Sequence, residues 1–345
     1  GYQVCLVRFN ADGTLDTSFG GGDGIASSGV YGSAKDVALQ SDGKFLVAAD
    51  LSNSNFNLMR FNSDGSLDTS FGGGSGYVST DLAGSTDRAD SLTIQSDGKV
   101  LLSGFGFNGT SFDFALVRYN TDGSLDTSFN GTGKVLTDLG ANSSDMGNEV
   151  RVQADGKIVV AGWSDTGGTN DFSIARYNAD GTLDAGFGTG GKVTINLGGS
   201  DLAEGLTIQS DGKILVTGTA GLNGGDVGLV RLNTDGTLDT TFGGGDGIVT
   251  TDYSGSSDDR GYSVAVQNDG RIVVSGTTQI GGLGGYNVAL NRYSSTGTLD
   301  TTFDPVSTLD NNPMYTEGGA AAVLDATVQI VDAELAFLLL RVVAA

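Results

Sequence analysis

The stretch LVRFNADGTLDTSFGGG at Leu6–Gly22 returns as LMRFNSDGSLDTSFGGG at Leu58–Gly74, LVRYNTDGSLDTSFNG at Leu116–Gly131 and IARYNADGTLDAGFG at Ile174–Gly188. Two more copies follow, LVRLNTDGTLDTTFGGG at Leu229–Gly245 and LNRYSSTGTLDTTF at Leu290–Phe303. The leucine before the second Asp falls at Leu15, Leu67, Leu125, Leu183, Leu238 and Leu299, so the steps are 52, 58, 58, 55 and 61 residues. A second string, QSDGK or a close variant, recurs at Gln40–Lys44, Gln95–Lys99, Gln153–Lys157, Gln209–Lys213 and Gln267–Arg271. Periods of this length mean a propeller, a solenoid or an array.

Each period reads as four short strands. In the second these are Gly76–Leu82, Asp90–Gln95, Lys99–Gly104 and Phe114–Tyr119, rich in β-branched and aromatic residues and bounded by Gly, Asp, Asn and Ser. The Asp-Gly of each QSDGK supplies a tight hairpin turn. Four strands per repeat predict an all-β fold, a β-propeller of four-stranded antiparallel blades. The expected count is about six blades: five complete, and one composite or incomplete blade begun by the N-terminal strand Tyr2–Phe9. Closing strands for that sixth blade are sought in ATVQI (Ala326–Ile330) and LAFLLLRVV (Leu335–Val343). The domain division is therefore 1–303 for the repeat propeller and 304–345 for a C-terminal part.

Composition narrows the chemistry. The 345 residues include 58 Gly, 2 Pro, one Cys and no His, which removes Ser-His-Asp and Cys-His catalysis, histidine bases and His-containing metal sites. Cys5 has no partner for a disulfide within the chain. Acidic residues number 41 against 18 basic, a net charge of −23, and only Glu149, Glu204, Glu317 and Glu334 are not Asp. Such a chain repels nucleic acid and anionic membranes, and LAFLLLRVV is too short to span a bilayer. A start at Gly1 with no charged-then-apolar leader reads as a segment of a longer protein.

Every copy carries an Arg followed eight residues later by an Asp: Arg8 and Asp16, Arg60 and Asp68, Arg118 and Asp126, Arg176 and Asp184, Arg231 and Asp239, Arg292 and Asp300. These read as structural pairs that lock a loop, with the Phe of LDTSF as an anchor between blades. Six equivalent copies point to architecture, since a catalytic site is normally unique. The N-x-D-G-x-L-D core has some ligands of a calcium loop, with Asn10, Asp12, Gly13 and Asp16 in register, but Arg8 and Phe19 stand where terminal ligands belong. An Asx turn accounts for the same residues.

The QSDGK turns and the LDTSF loops share one end of the blades. The connections at the other end vary: Asp50–Asn55, Phe105–Asp113, Trp163–Asp171, Thr219–Asp226 and Thr277–Tyr286. Variable loops on a rigid scaffold are where ligands bind. At this end Asp81, Asp138, Asn196 and Asp252, with Gly29 at the fifth equivalent position, are read as ending the innermost strands. They form a candidate ring for a cation such as Ca2+, the one cofactor considered, against the alternative of solvated strand ends. Trp163, the only Trp, is the ligand-face candidate for stacking on a sugar ring, against packing on its own blade.

On the strings DGSLDTSFG and QSDGKIVVAG, both nearly verbatim here, residues Gln3–Phe303 resemble the delta-60 repeat family. The resemblance implies a propeller-like array in large bacterial proteins, often secreted or surface-attached, with no established activity for the repeat. The segment LDNNPMYTEGGAAAVLDATVQIVDAEL (Leu309–Leu335) is similar to the opening of cadherin-like modules in RTX-type adhesins, so 304–345 are either closing strands or the truncated start of such a module. The leading expectation is a non-enzymatic extracellular scaffold or binding module of a bacterial secreted or cell-surface, adhesin-like protein, whose partner is a protein or glycan. Two alternatives stand beside it: a calcium-stabilised, export-coupled folding module, and a propeller-based carbohydrate-active enzyme using Asp carboxylates.

Overall fold

A computed structural model describes residues 2–303 apart from 85, 141–142, 166, 222–224, 254–257 and 280–286. The chain is all-β, with the four-stranded antiparallel blades of a β-propeller. The first sheet runs in the order β1 (Gln3–Val7), β2 (Ile25–Leu39), β3 (Phe45–Leu51), β4 (Phe56–Phe61), β5 (Tyr77–Thr80). The second joins β6 (Asp87–Ile94), β7 (Val100–Phe107), β8 (Phe112–Tyr119) and β9 (Lys134–Thr137). The third joins β10 (Asp145–Val152), β11 (Ile158–Asp165), β12 (Asn170–Tyr177) and β13 (Lys192–Ile195). The fourth joins β14 (Leu202–Ile208), β15 (Ile214–Ala220), β16 (Asp226–Leu232) and β17 (Ile248–Thr251), and the fifth has β18 (Arg260–Val266), β19 (Ile272–Thr278) and β20 (Asn287–Tyr293). The chain divides after Ile195 into two compact units, the first holding three sheets and the second two.

Five blades form among the described residues, not about six. The N-terminal strand β1 pairs with the front of β2, Val7 opposite Ile25 and Cys5 opposite Ser27. The same β2 then pairs with β3 from Gly32 onward. In the other blades a loop separates these two stretches; here the strand runs straight through, so β1 extends the first sheet and begins no further blade. Residues 304–345, expected to close a ring or to open another module, lie outside the described residues, as does most of the loop Thr277–Tyr286.

The blade also starts later than the repeat suggested. The strand expected at Gly76–Leu82 pairs as β5 with β4, Phe56 opposite Thr80, and so ends the sheet of the preceding Arg strand. A blade opens instead with the strand leading into QSDGK. In the hairpin between β6 and β7, the Gln95 N–H donates to Lys99 O at 2.8 Å and the Gly98 N–H to Gln95 O at 2.9 Å. Gly98 has φ +83°, a conformation that costs a β-carbon-bearing residue energy.

Each opening strand carries a bulge at the same place. Between Ala89 and Ser91 the register shifts so that Asp90 has no opposite residue, and the strand facing the bulge holds Gly104. A β-carbon on Gly104 would stand 1.8 Å from Arg88 O, and Gly162, Gly218 and Gly276 meet Met146, Leu202 and Arg260 carbonyls at 1.8, 1.9 and 1.7 Å. In four of the five blades the terminal Gly of the QSDGKIVVAG-like strings is therefore the residue that lets a bulged neighbour approach, while the first blade, bulged between Ala34 and Asp36, carries Ala49 there.

Apolar residues of one sheet interdigitate with those of the next. Leu46, Ala48, Phe56 and Leu58 pack with Leu92, Val100, Leu102 and Val117, and Leu101, Phe114 and Leu116 with Val150, Ile158 and Val160. In the second unit Leu215, Val227 and Leu229 meet Val264, Ile272 and Val274. Buried tyrosines at the ends of three Arg strands keep a polar partner, as a buried hydroxyl must. The Tyr119 hydroxyl lies 2.7 Å from Thr80 Oγ1, Tyr177 2.8 Å from Thr137 and Tyr293 2.8 Å from Thr251, each tying a strand to the last strand of the sheet before it.

Urea unfolding of Gly104→Ala checks the bulge. The clash with backbone should cost about 2–3 kcal/mol, whereas Gly13→Ala, at φ +82° with nothing within 4 Å of its β-carbon, should cost only about 1 kcal/mol of backbone strain. Equal costs would sink the steric account of the repeated glycine.

Candidate functional site

At the stereotyped end each Arg-Asp pair is the centre of a cage. Arg118 Nε donates to Asp126 Oδ2 at 2.7 Å, and Lys99 Nζ of the QSDGK turn stands 2.9 Å from the same oxygen. The other oxygen, Oδ1, accepts the Ser128 N–H at 3.1 Å and the Ser128 hydroxyl at 2.6 Å. Burial pushes the Asp126 carboxyl up, but the Ser128 and Lys99 donors and the Arg118 charge outweigh it and hold it well below the usual carboxylate range. Lysine 44, 157 and 213 meet Asp68, Asp184 and Asp239 in the same way, at 2.7, 2.8 and 2.7 Å. The lysine was legible in four of the five QSDGK-like strings, the fifth carrying Arg271, yet the strings lie too far apart in sequence to reveal that it completes the cage.

The cage also reaches the next repeat. Arg118 Nη1 donates to Ala179 O at 2.6 Å, and Arg8, Arg60 and Arg231 reach Ser63, Thr121 and Ser295 carbonyls at 2.9, 2.8 and 2.6 Å. The guanidinium lies over the Phe129 ring, 4.4 Å from its centroid, a cation–π contact found in all six copies at 4.4–4.5 Å. Phe129 is fully buried, and its far edge fills the space where a β-carbon on Gly181 of the next repeat would sit, 2.8 Å away. Phe19, Phe71 and Phe242 meet Gly65, Gly123 and Gly297 alike. The Asp of each N-x-D-G loop is spent locally: Asp12 Oδ1 accepts the Thr14 N–H at 2.9 Å and its hydroxyl at 2.6 Å, an Asx turn.

The variable end concentrates carboxylates with the opposite electrostatics. Asp87, Asp145, Asp201 and Asp259, at or just before the opening of a blade, are buried, and each accepts the backbone N–H of the residue after a candidate ring position. The donors are Leu82, Leu139, Leu197 and Tyr253, at 2.6, 2.7, 2.6 and 2.9 Å. These four Asp are absent from the sequence-based candidates; Asp87, Asp145 and Asp259 staple the end of one blade to the start of the next. Their spacing from the ring positions varies from five to seven residues, which conceals the repeat.

Of the ring candidates, Asp138 lies with Asp113 and Asp145, and Asp252 with Asp226 and Asp259; within each trio one oxygen from every carboxylate lies within 4.8 Å of the others. Among the described residues these are the two such acidic groups, and each holds a single ring candidate. Asp81 Oδ1 accepts the Gly84 N–H at 2.6 Å and Asn196 Oδ1 the Gly198 N–H at 2.8 Å. The four positions immediately follow last strands and do not end innermost first strands, because of the shifted blade. Burial, reinforced by Asp138 and Asp113, pushes the Asp145 carboxyl up to about 6 despite the Leu139 and Ser143 donors. Asp113 is raised by burial and Asp138, against its Asn108 donor. Trp163 is half-buried inside β11, opposite Met146 and Phe172, two residues before the strand ends, instead of opening a loop.

The family described as "Domain of unknown function (DUF5122) beta-propeller" matches six segments, residues 1–19, 40–71, 95–129, 153–187, 209–242 and 267–303. A search of curated proteins finds no match. Among solved structures, a protein of unknown function from Dyadobacter fermentans is 13% identical, with 74% of each chain covered and a TM-score of 0.47. A polysaccharide lyase of family PL25, an ulvan lyase, is 12% identical over 75% of this chain and 68% of its own, at 0.48. The surface component PorZ of the Porphyromonas gingivalis type-IX secretion system is 13% identical over 81% of this chain and 35% of its own, at 0.42. Likenesses of this size carry no activity across.

Removing the cage charge tests its role. Asp126→Asn leaves Arg118 buried without its counter-charge and should cost about 3 kcal/mol in urea unfolding; Asp16→Asn, whose pair is 32% and 22% exposed, should cost under about 1 kcal/mol. Folding depresses the Asp126 pKa below its ordinary 3.8, so this stabilisation is complete well above that value and is lost progressively as pH falls from it toward the lower value of the folded state. Lowering the pH from 5 to 3 should therefore reduce the melting temperature of the native protein more than that of Asp126→Asn.

Proposed function

Since the chain belongs to the DUF5122 β-propeller family, whose description assigns no activity, we propose that it is a non-enzymatic binding scaffold of a bacterial protein that works outside the cell. The observation that carries this reading is the division between the two ends of the blades. At one end the charged side chains are consumed by the repeat's own cages. At the other the loops share no pattern, reading SNSN at 52–55, NGTS at 108–111, TGGT at 166–169 and GLNGG at 221–225. A rigid frame with divergent loops is built for recognition, and those short polar residues hydrogen-bond to glycans or to protein backbone. The charge of −23 and the lack of a second Cys suit an exported chain that folds without disulfides.

The acidic trios favour recognition over catalysis, because they recur between blades where a general acid and its partner would be unique. No helix among the described residues is long and apolar enough to cross a membrane. Binding to a glycan array and to extracellular-matrix proteins, followed by incubation with a panel of polysaccharides, tests the proposal. The expected result is saturable binding that Trp163→Ala weakens by about 2 kcal/mol when measured well below the melting temperature of the variant. Release of reducing ends or unsaturated uronate from any polysaccharide would overturn the non-enzymatic reading.

A further inference from the structure

We propose that Asp226, Asp252 and Asp259 bind one hard divalent cation, calcium, where β16 starts, β17 ends and β18 begins. This goes beyond the binding reading above and does not depend on it. Oxygens of the three carboxylates all lie within 4.8 Å of one another. That is the reach of donors on opposite sides of one calcium ion with bonds of roughly 2.3–2.6 Å. Asp259 is fully buried and oriented by its neighbours, one oxygen accepting the Tyr253 N–H at 2.9 Å and the other the Thr278 hydroxyl at 2.5 Å.

Asp226 supplies the second, independent observation. It is only 7% exposed, and among the described residues its carboxylate has no hydrogen-bond donor and no ion-pair partner, and it faces the other two. A buried carboxylate is normally partnered, and leaving it bare is costly. The nearby guanidinium of Arg260 is engaged bidentately by Asp258 at 2.9 and 2.7 Å. The matching trio in the second blade shows the contrast: Asp113 accepts the Asn108 amide at 2.8 Å and the Ser111 hydroxyl at 3.3 Å. There the loop supplies the donors itself. At Asp226 no such donor stands among the described residues, and the charged groups it faces are the other two carboxylates. An all-oxygen donor set selects a hard ion, and an irregular arrangement completed by water suits calcium better than magnesium, which requires a near-ideal octahedron.

Calorimetric titration of the chelator-treated chain with calcium chloride at pH 7, repeated with magnesium chloride, tests the site. Calcium should bind at least about tenfold more tightly than magnesium; Asp226→Asn should weaken calcium at least about tenfold, and Asp113→Asn should leave it within about threefold. Asp226→Asn deletes an unpartnered buried charge, so without calcium it should melt at or above the native temperature, which separates lost binding from lost folding. Terbium luminescence excited through tyrosine gives a local readout, which Tyr253→Phe should reduce. No calcium binding by the native chain, equal binding of magnesium, or unchanged binding in Asp226→Asn would each overturn the proposal.

Discussion

One carboxylate in each repeat, the Asp of the LDT string, organises the blades. Asp126 gathers an arginine, a lysine from another turn, a serine hydroxyl and a backbone N–H. By fixing the guanidinium it aims the remaining arginine donors at a carbonyl of the next repeat and holds the arginine plane over Phe129. The phenyl ring then fills the gap left by a glycine in the following loop. A charge, a cation–π contact and an apolar plug thus act in series, and packing of one sheet on the next follows from their geometry. Where the lysine is missing, as at Asp16, the pair stays partly exposed.

The same residue type plays opposite parts at the two ends. At the cages, donors outnumber the burial cost and the carboxyls are held low; at the blade junctions, burial dominates and carboxyls such as Asp87 and Asp145 are raised. An acidic chain with only 18 basic residues cannot neutralise both ends, and six arginines and four lysines are committed to the cages. The buried junction carboxylates take their hydrogen bonds from backbone N–H groups and hydroxyls, as Asp87, Asp145 and Asp259 do.

Much of the repeat was legible because it depends on local chemistry. Asp-Gly turns, the alternation of the strands and the Arg-Asp spacing of eight act within a few residues or across one loop. The phase of the blade was not: Tyr77–Thr80 can pair with the strand before it or with the one after it, and both lie nearby in sequence. Pairing with β4 is favoured by the long LDTSF loop, whose cage brings β5 back alongside its own Arg strand. The count of about six blades failed for a related reason, since nothing in the residues 25–39 announces that β2 runs unbroken past Gly32.

The sequence by itself determined a repeated, four-stranded, antiparallel architecture and the pairs that hold each loop, because turn conformation and strand periodicity are properties of neighbouring residues. Only the tertiary structure decided which carboxylates meet. Asp226, Asp252 and Asp259 stand on three different strand ends, separated by 26 and 7 residues of varied sequence. Their encounter follows from the staggered pairing of one blade with the next, a long-range outcome of packing that no local pattern encodes.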